Sequence, residues 1–218
     1  MRAGPSPVVL WNGREPDLEL RPGLEALAAR DPDVARAFAA CGLPPVRRQE
    51  PGYAGLVRII SAQQISVLAA QAILARLRAE LGTITPQSVL ALPEERFKAL
   101  GFSRAKIAYS RALAEDILSG RIDLNAIASL PDDEAVTALC RARGVGRWTA
   151  EIYLLFGLRR GDVWPADDLA VRVAAQKLKG WPARPTLAEM AVLGEAWRPH
   201  RSAGARLLWH IYRHPGLA

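Results

Sequence analysis

The stretch Leu139-Cys140-Arg141-Ala142-Arg143-Gly144-Val145-Gly146-Arg147-Trp148-Thr149-Ala150 decides how this chain is read. Helical patterning leads into it and away from it, and two glycines one residue apart interrupt the run. Glycine has no Cβ, so the pair permits a turn with positive φ values and exposes the amides that open the next helix. Those amides, with the helix dipole behind them, make an anion site of phosphate size. Arg143 and Arg147 flank the turn with positive charge. Taken alone, Gly-Val-Gly between helices is equally a plain αα-hairpin.

Upstream of the turn the period stays helical. Leu56, Ile59 and Ile60, then Val67, Ala70, Ile73, Leu74, Leu77 and Leu81 recur at three and four residues, with the polar run Ser61-Ala62-Gln63-Gln64 between them as a helix break. Thr85-Pro86 and Leu92-Pro93-Glu94-Glu95 read as helix starts, and Ser103 caps a helix running to about residue 118. Pro131 with Asp132, Asp133 and Glu134 starts another, expected to end near Arg143. Downstream, helices are expected at about 168–178, 186–196 and 202–212. No strand alternation and no internal repeat is evident. The predicted fold is all-α, with residues 1–22 as a Pro/Gly-rich arm.

Bulk properties narrow the class. Half of the 218 residues are apolar, enough for a buried core, which excludes a fibre or a disordered tail. Basic residues outnumber acidic ones 29 to 22, for a net charge of +7, and the excess favours a polyanionic partner through counterion release. Cys41 and Cys140 are too few for a four-cysteine zinc or iron–sulfur site or a disulfide-stapled secreted protein. No apolar run of about 18 residues and no signal-like segment occurs, so a cytoplasmic protein without a membrane partner is expected. His210 and His214 stand at i and i+4, but no third ligand is evident, so no metal site is expected.

Here the motifs join. Residues 144–156, GVGRWTAEIYLLF, resemble the helix-hairpin-helix of DNA glycosylases, and VWPADDLAVR follows at 163–172. IISAQQIS at 59–66 and WRPHRSAGARLLWHIY at 197–212 resemble the 3-methyladenine DNA glycosylase II branch in its compact form. The resemblance covers about residues 53–212 in the family's order. It implies a single domain of two helical lobes with a base-binding cleft between them, the middle helices (about 55–155) forming one lobe. The N-terminal segment and the helices of about 160–212 form the other. It implies a monomer acting on double-stranded DNA that carries a damaged base. The expected activity is monofunctional release of alkylated purines by base flipping in base excision repair.

The chemistry assigns roles. Breaking an N-glycosidic bond builds an oxocarbenium-like sugar that a nearby carboxylate stabilises. The resemblance puts that carboxylate at Asp168; by spacing alone Asp167 is an alternative, one of the pair being free to cap a helix. A purine alkylated at N3 or N7 leaves with its own positive charge, so a second acid is not required. Family members that also nick the strand carry a lysine where this chain has Trp148, which disfavours Schiff-base chemistry.

The resemblance implies Trp148 and Trp209 as aromatic walls of a base pocket, with Trp164 in the loop just before Asp168 as a third candidate; an indole face attracts a cationic base, though each tryptophan also reads as core packing. Arg143, Gly144, Val145, Gly146 and Arg147 are the candidate phosphate grip; the resemblance implies Gln64 as the wedge that fills the hole left by the flipped base, although Gln63 and Gln64 also read as residues that cap or link helices. Arg198 and Arg201 are secondary candidates, touching phosphate, bracing Asp168 or simply making structural pairs. Lys106 reads as a solvated residue. No cofactor is expected, although the hairpin carbonyls could hold a monovalent cation, as the resemblance implies. The competing readings are a relative that removes ethenoadenine or deaminated bases, a non-catalytic DNA-binding hairpin module, and methyl transfer to Cys140.

Overall fold

A computed structural model of the chain describes residues 15–213. After a 3-10 turn at Leu18–Leu20 come α1 (Arg21–Ala28), α2 (Pro32–Cys41), α3 (Gly52–Ala62) and α4 (Val67–Leu81). There follow α5 (Pro86–Ala91), α6 (Glu94–Ala99), α7 (Arg104–Leu118), α8 (Leu124–Ser129), α9 (Asp132–Leu139) and α10 (Arg147–Ile152). A π-helical turn at Tyr153–Gly157 extends α10, and α11 (Leu169–Lys179), α12 (Leu187–Ala196) and α13 (Arg201–Arg213) complete the order. Among the described residues there is no strand, only an isolated antiparallel bridge between Pro16 and Pro45. No helix among them is long and apolar enough to cross a membrane.

Local chemistry sets the boundaries. Thr85 and Ser88 form a capping box at α5, as Thr186 and Glu189 do at α12, and Ser103 caps α7. The segment read as an arm is partly helical, because Asp17 caps the 3-10 turn and Pro22 sits in the first turn of α1; residues 1–14 and His214 lie outside the described residues. Helix α9 ends at Leu139 rather than near Arg143. The amide of Ala142 bonds back to the carbonyl of Leu139, and that of Val145 to Ala142, which winds the chain into turns.

The described residues form two compact units. One comprises residues 49–158, with α3 packed on α4 and α7, α5 on α7, and α8 and α10 on α9. Leu56, Ile59, Ile60, Leu77 and Leu113 are fully buried in it. The other comprises residues 15–48 and 159–213, with α13 packed on α11, α1 and α2. Chain segments distant in sequence meet here, and polar contacts lock them. The indole of Trp197 donates to Asp31 (2.9 Å), and the Lys179 ammonium lies 2.7 Å from both oxygens of the same carboxylate. Asp31 also caps α2.

Burial alone would raise the pKa of Asp31, but the hydrogen bonds from Lys179 and Trp197 outweigh it and hold it below the usual carboxylate value. A depressed carboxyl stabilises the fold above its unfolded pKa and loses that contribution as pH falls through the folded one. Lys179→Met should therefore cost on the order of 1 kcal/mol at pH 7, since solvent screens a pair that is only partly buried, with the gap to wild type closing in acid below about pH 4. Urea unfolding at several pH values checks this; a gap that does not change with pH would contradict it.

Candidate functional site

Asp168 is the N-cap of α11. Its Oδ1 accepts from the amide of Val171 at 3.0 Å, and the residue is 3% exposed. The same oxygen accepts from the indole N–H of Trp209 on α13, also at 3.0 Å. Asp167, by contrast, has its side chain 73% exposed and only a loose 3.7 Å approach to Arg172. The two aspartates left open by spacing are thus distinguished by environment. Capping a helix and serving as a held carboxylate fall to one residue.

The segment leading to Asp168 is pinned by the start of α13. Ser202 donates its hydroxyl to the carbonyl of Arg160 (2.6 Å) and accepts from the amide of Val163 (2.9 Å). Arg201 donates to Asp162 through Nε (3.0 Å), and Arg198 reaches the other oxygen of Asp162 at 3.0 Å while also pairing with Glu195. Arg198 and Arg201 therefore brace the loop through Asp162 and do not contact Asp168 in these pairings. Trp164 also differs from its expected place: it packs edge-on against Trp197 at 5.4 Å between ring centroids, and its indole donates to the carbonyl of Met190 at 2.7 Å. At 8% exposure it is a core residue, not a pocket wall. Trp209 is buried as well and presents its N–H edge to Asp168, a positioning contact that the sequence does not announce.

The other unit carries the hairpin. Of its two glycines, only Gly144 has a positive φ (86°); a Cβ there would sit 2.2 Å from the ring of Tyr109. Gly146 is extended (φ −86°, ψ 173°) and caps α10 with no side-chain hydrogen bond. Nothing lies within 4 Å of where its Cβ would be, so here glycine opens the helix start rather than permitting a left-handed turn. Val145 is buried, while Arg141, Arg143 and Arg147 are exposed on the same turn, Arg147 also reaching Glu151 at 2.8 Å. An uncapped helix start beside exposed arginines can grip a phosphate.

Beside the hairpin lies the break between α3 and α4. Gln64 is exposed and has φ 57°, a left-handed conformation uncommon for a non-glycine residue. Its neighbour Gln63 donates its side-chain amide to Thr149 Oγ1 (3.0 Å) and to the carbonyl of Gly144 (3.3 Å). Ile65 and Val67 pack with half-buried Trp148 against Ala62, Ala70 and Leu74. Lys106 is not merely solvated: its ammonium donates to the carbonyl of Ser61 at 2.7 Å, and burial lowers its pKa. Leu68, on the first turn of α4, is 78% exposed.

The remaining candidates recede. Partial burial outweighs the nearby Arg147 and raises the Cys140 thiol above its ordinary pKa, the wrong direction for a methyl acceptor. His210 is buried with Nε2 3.1 Å from the carbonyl of Cys41. Among the described residues no group of three or more His, Cys, Asp or Glu side chains could hold a metal ion.

Comparison with known proteins bears directly on these features. Residues 57–199 match the HhH-GPD superfamily of base excision DNA repair proteins, a span that includes the Gln63–Gln64 loop, the hairpin and Asp168. The chain belongs to that superfamily. It is 35% identical over 168 residues to DNA-3-methyladenine glycosylase 1 of Schizosaccharomyces pombe, covering 75% of this chain and 73% of that protein. The solved structure of S. pombe 3-methyladenine DNA glycosylase (Mag1) in complex with abasic DNA superposes with a TM-score of 0.78 at 31% identity, over 86% of this chain and 95% of that one. A Bacillus halodurans DNA-3-methyladenine glycosidase structure gives 0.75 at 26% identity, over 88% and 89%.

The hairpin lies inside the matched span, and its turn is built on Gly144. Gly144→Ala would combine an unfavourable φ with a Cβ driven into Tyr109, and should cost at least about 2 kcal/mol of stability. Thermal unfolding checks this, with Gly146→Ala, which meets open space, as the control. Equal losses at the two positions would contradict the assignment.

Proposed function

We propose that this protein is a monofunctional DNA glycosylase that removes alkylated purines of the 3-methyladenine type from double-stranded DNA by flipping the nucleotide. The observation that carries the reading is the carboxylate of Asp168, buried and fixed by two N–H donors at the start of α11. The bond from C1′ to the base nitrogen breaks, its electron pair leaves with the base, and positive charge develops on the sugar. Asp168 is the group to stabilise that charge and to orient a water, which adds to C1′ as the carboxylate accepts its proton and passes it to solvent. An N3- or N7-alkylated purine is already cationic and becomes neutral on leaving, so it needs no general acid. Neutral bases lack that advantage.

The hairpin residues Arg143 to Arg147 hold the phosphodiester backbone, and Gln64 takes the place of the extruded base. Trp148 is the candidate wall for the base, with an indole face worth about 0.5–2 kcal/mol toward a cation. Tryptophan in place of a lysine at this position supports hydrolysis without strand cleavage. The hydrolysis asks for no cofactor. The neutral carbonyl oxygens of the hairpin would hold a monovalent cation, which would add positive charge for binding phosphate. The proposed working unit is a monomer within the DNA-bearing compartment of the cell.

A panel of duplexes carrying 3-methyladenine, 7-methylguanine, ethenoadenine, hypoxanthine or uracil tests the reading. The methylated purines should be released fastest, leaving strands that break only on alkali treatment. No release from any duplex would leave a DNA-binding module, enzyme-dependent breaks would restore a lyase, and preferred release of ethenoadenine or a deaminated base would overturn the lesion class.

A further inference from the structure

Gln64 reaches outward from a backbone conformation that costs an L-residue roughly 1–2 kcal/mol, so its surroundings must hold it there. The hold comes from both sides of the residue. On one side, Gln63 places the two hydrogens of its amide on Gly144 O at 3.3 Å and Thr149 Oγ1 at 3.0 Å, one acceptor in the hairpin turn and one on α10. On the other, Ile65 packs into the apolar cluster that includes Trp148. The ends of the loop are also fixed, by Lys106 on the carbonyl of Ser61 and by Ser66, whose hydroxyl caps α4 at the amide of Ala69. Gln64 is therefore the exposed crest of a loop whose neighbours are fastened to the hairpin element.

We propose that Gln63 is a positioning residue for the flipping step: its amide latches the Gln64 loop to the hairpin, so that the grip on the phosphate and the wedge move as one body. The inference rests on the glycosylase reading given above. A glutamine suits the task because its single NH2 group carries two donor hydrogens, matching the two acceptors at Gly144 O and Thr149 Oγ1. Leucine has a similar volume and no donor, and glutamate has the same reach with no amide hydrogens. A wedge that yields on contact would leave the flipped nucleotide free to fall back into the stack. The latch thus acts on duplex substrates, in which a base must be displaced, and is idle on a lesion in a single strand.

The test measures single-turnover release of 7-methylguanine from a duplex and from the same strand unpaired, with 2-aminopurine beside the lesion reporting unstacking. Gln63→Leu and Gln63→Glu should slow release from the duplex about tenfold and reduce the 2-aminopurine signal, with the single-strand rate within twofold of wild type. Gln64→Ala should cost about tenfold alone but under twofold in the Gln63→Leu background, because the two act as one device. Thr149→Val, which removes one acceptor at constant shape, should show the same duplex-only pattern and carries the test should the Gln63 variants not fold. Equal losses on both substrates, additive losses in the double variant, or unchanged duplex rates would overturn the latch. If wild type releases no base from either substrate, the proposed activity fails instead.

Discussion

Removing a carboxylate from water costs several kcal/mol unless fixed donors replace the lost hydration. At Asp168 the replacements are the amide of Val171 and the indole N–H of Trp209, both on one oxygen. The first comes from the helix that Asp168 caps; the second comes from α13, forty-one residues further along the chain. Much of the surrounding unit serves that pairing. Ser202 and Arg201 on the first turn of α13 hold the loop at 160–163, and Trp209 two turns later holds the carboxylate, so one helix fixes both the approach to Asp168 and its orientation. The contact of Trp197 and Lys179 with Asp31 secures α2 against the end of α11 and the residue after α12.

The other unit works by backbone shape. Gly144 turns the chain against the face of Tyr109, and Gly146 leaves the first turn of α10 open. The two glycines serve different needs: one supplies a positive φ, the other an uncluttered surface. Gln63 then joins this turn to the break between α3 and α4, where Gln64 stands out. The residues proposed as phosphate grip and wedge thus belong to neighbouring segments of a single packed unit.

The helices were legible wherever a cap and a period coincided, as at Thr85, Ser103 and Thr186. Less legible were α8, six residues capped by Asp123, and the early end of α9, because short helices offer too few turns for a period to show. The resemblance pointed to Asp168, while spacing left Asp167 open, because only packing buries one and exposes the other. The tryptophans illustrate the limit more sharply. Sequence can mark Trp164 and Trp209 as notable aromatics, but which way an indole N–H points depends on contacts with Met190 and Asp168, which are distant along the chain. Gln63 was hidden for the same reason: its partners are Gly144 and Thr149.

The most direct test of a catalytic role for the buried carboxylate is Asp168→Asn, measured on a duplex bearing 7-methylguanine. The amide oxygen can still accept from Val171 and Trp209, so the fold is kept while the negative charge is removed. Single-turnover base release should fall by about a thousandfold or more while binding of the same duplex stays within tenfold. A variant that binds normally and still releases the base at a rate within tenfold of wild type would contradict the account.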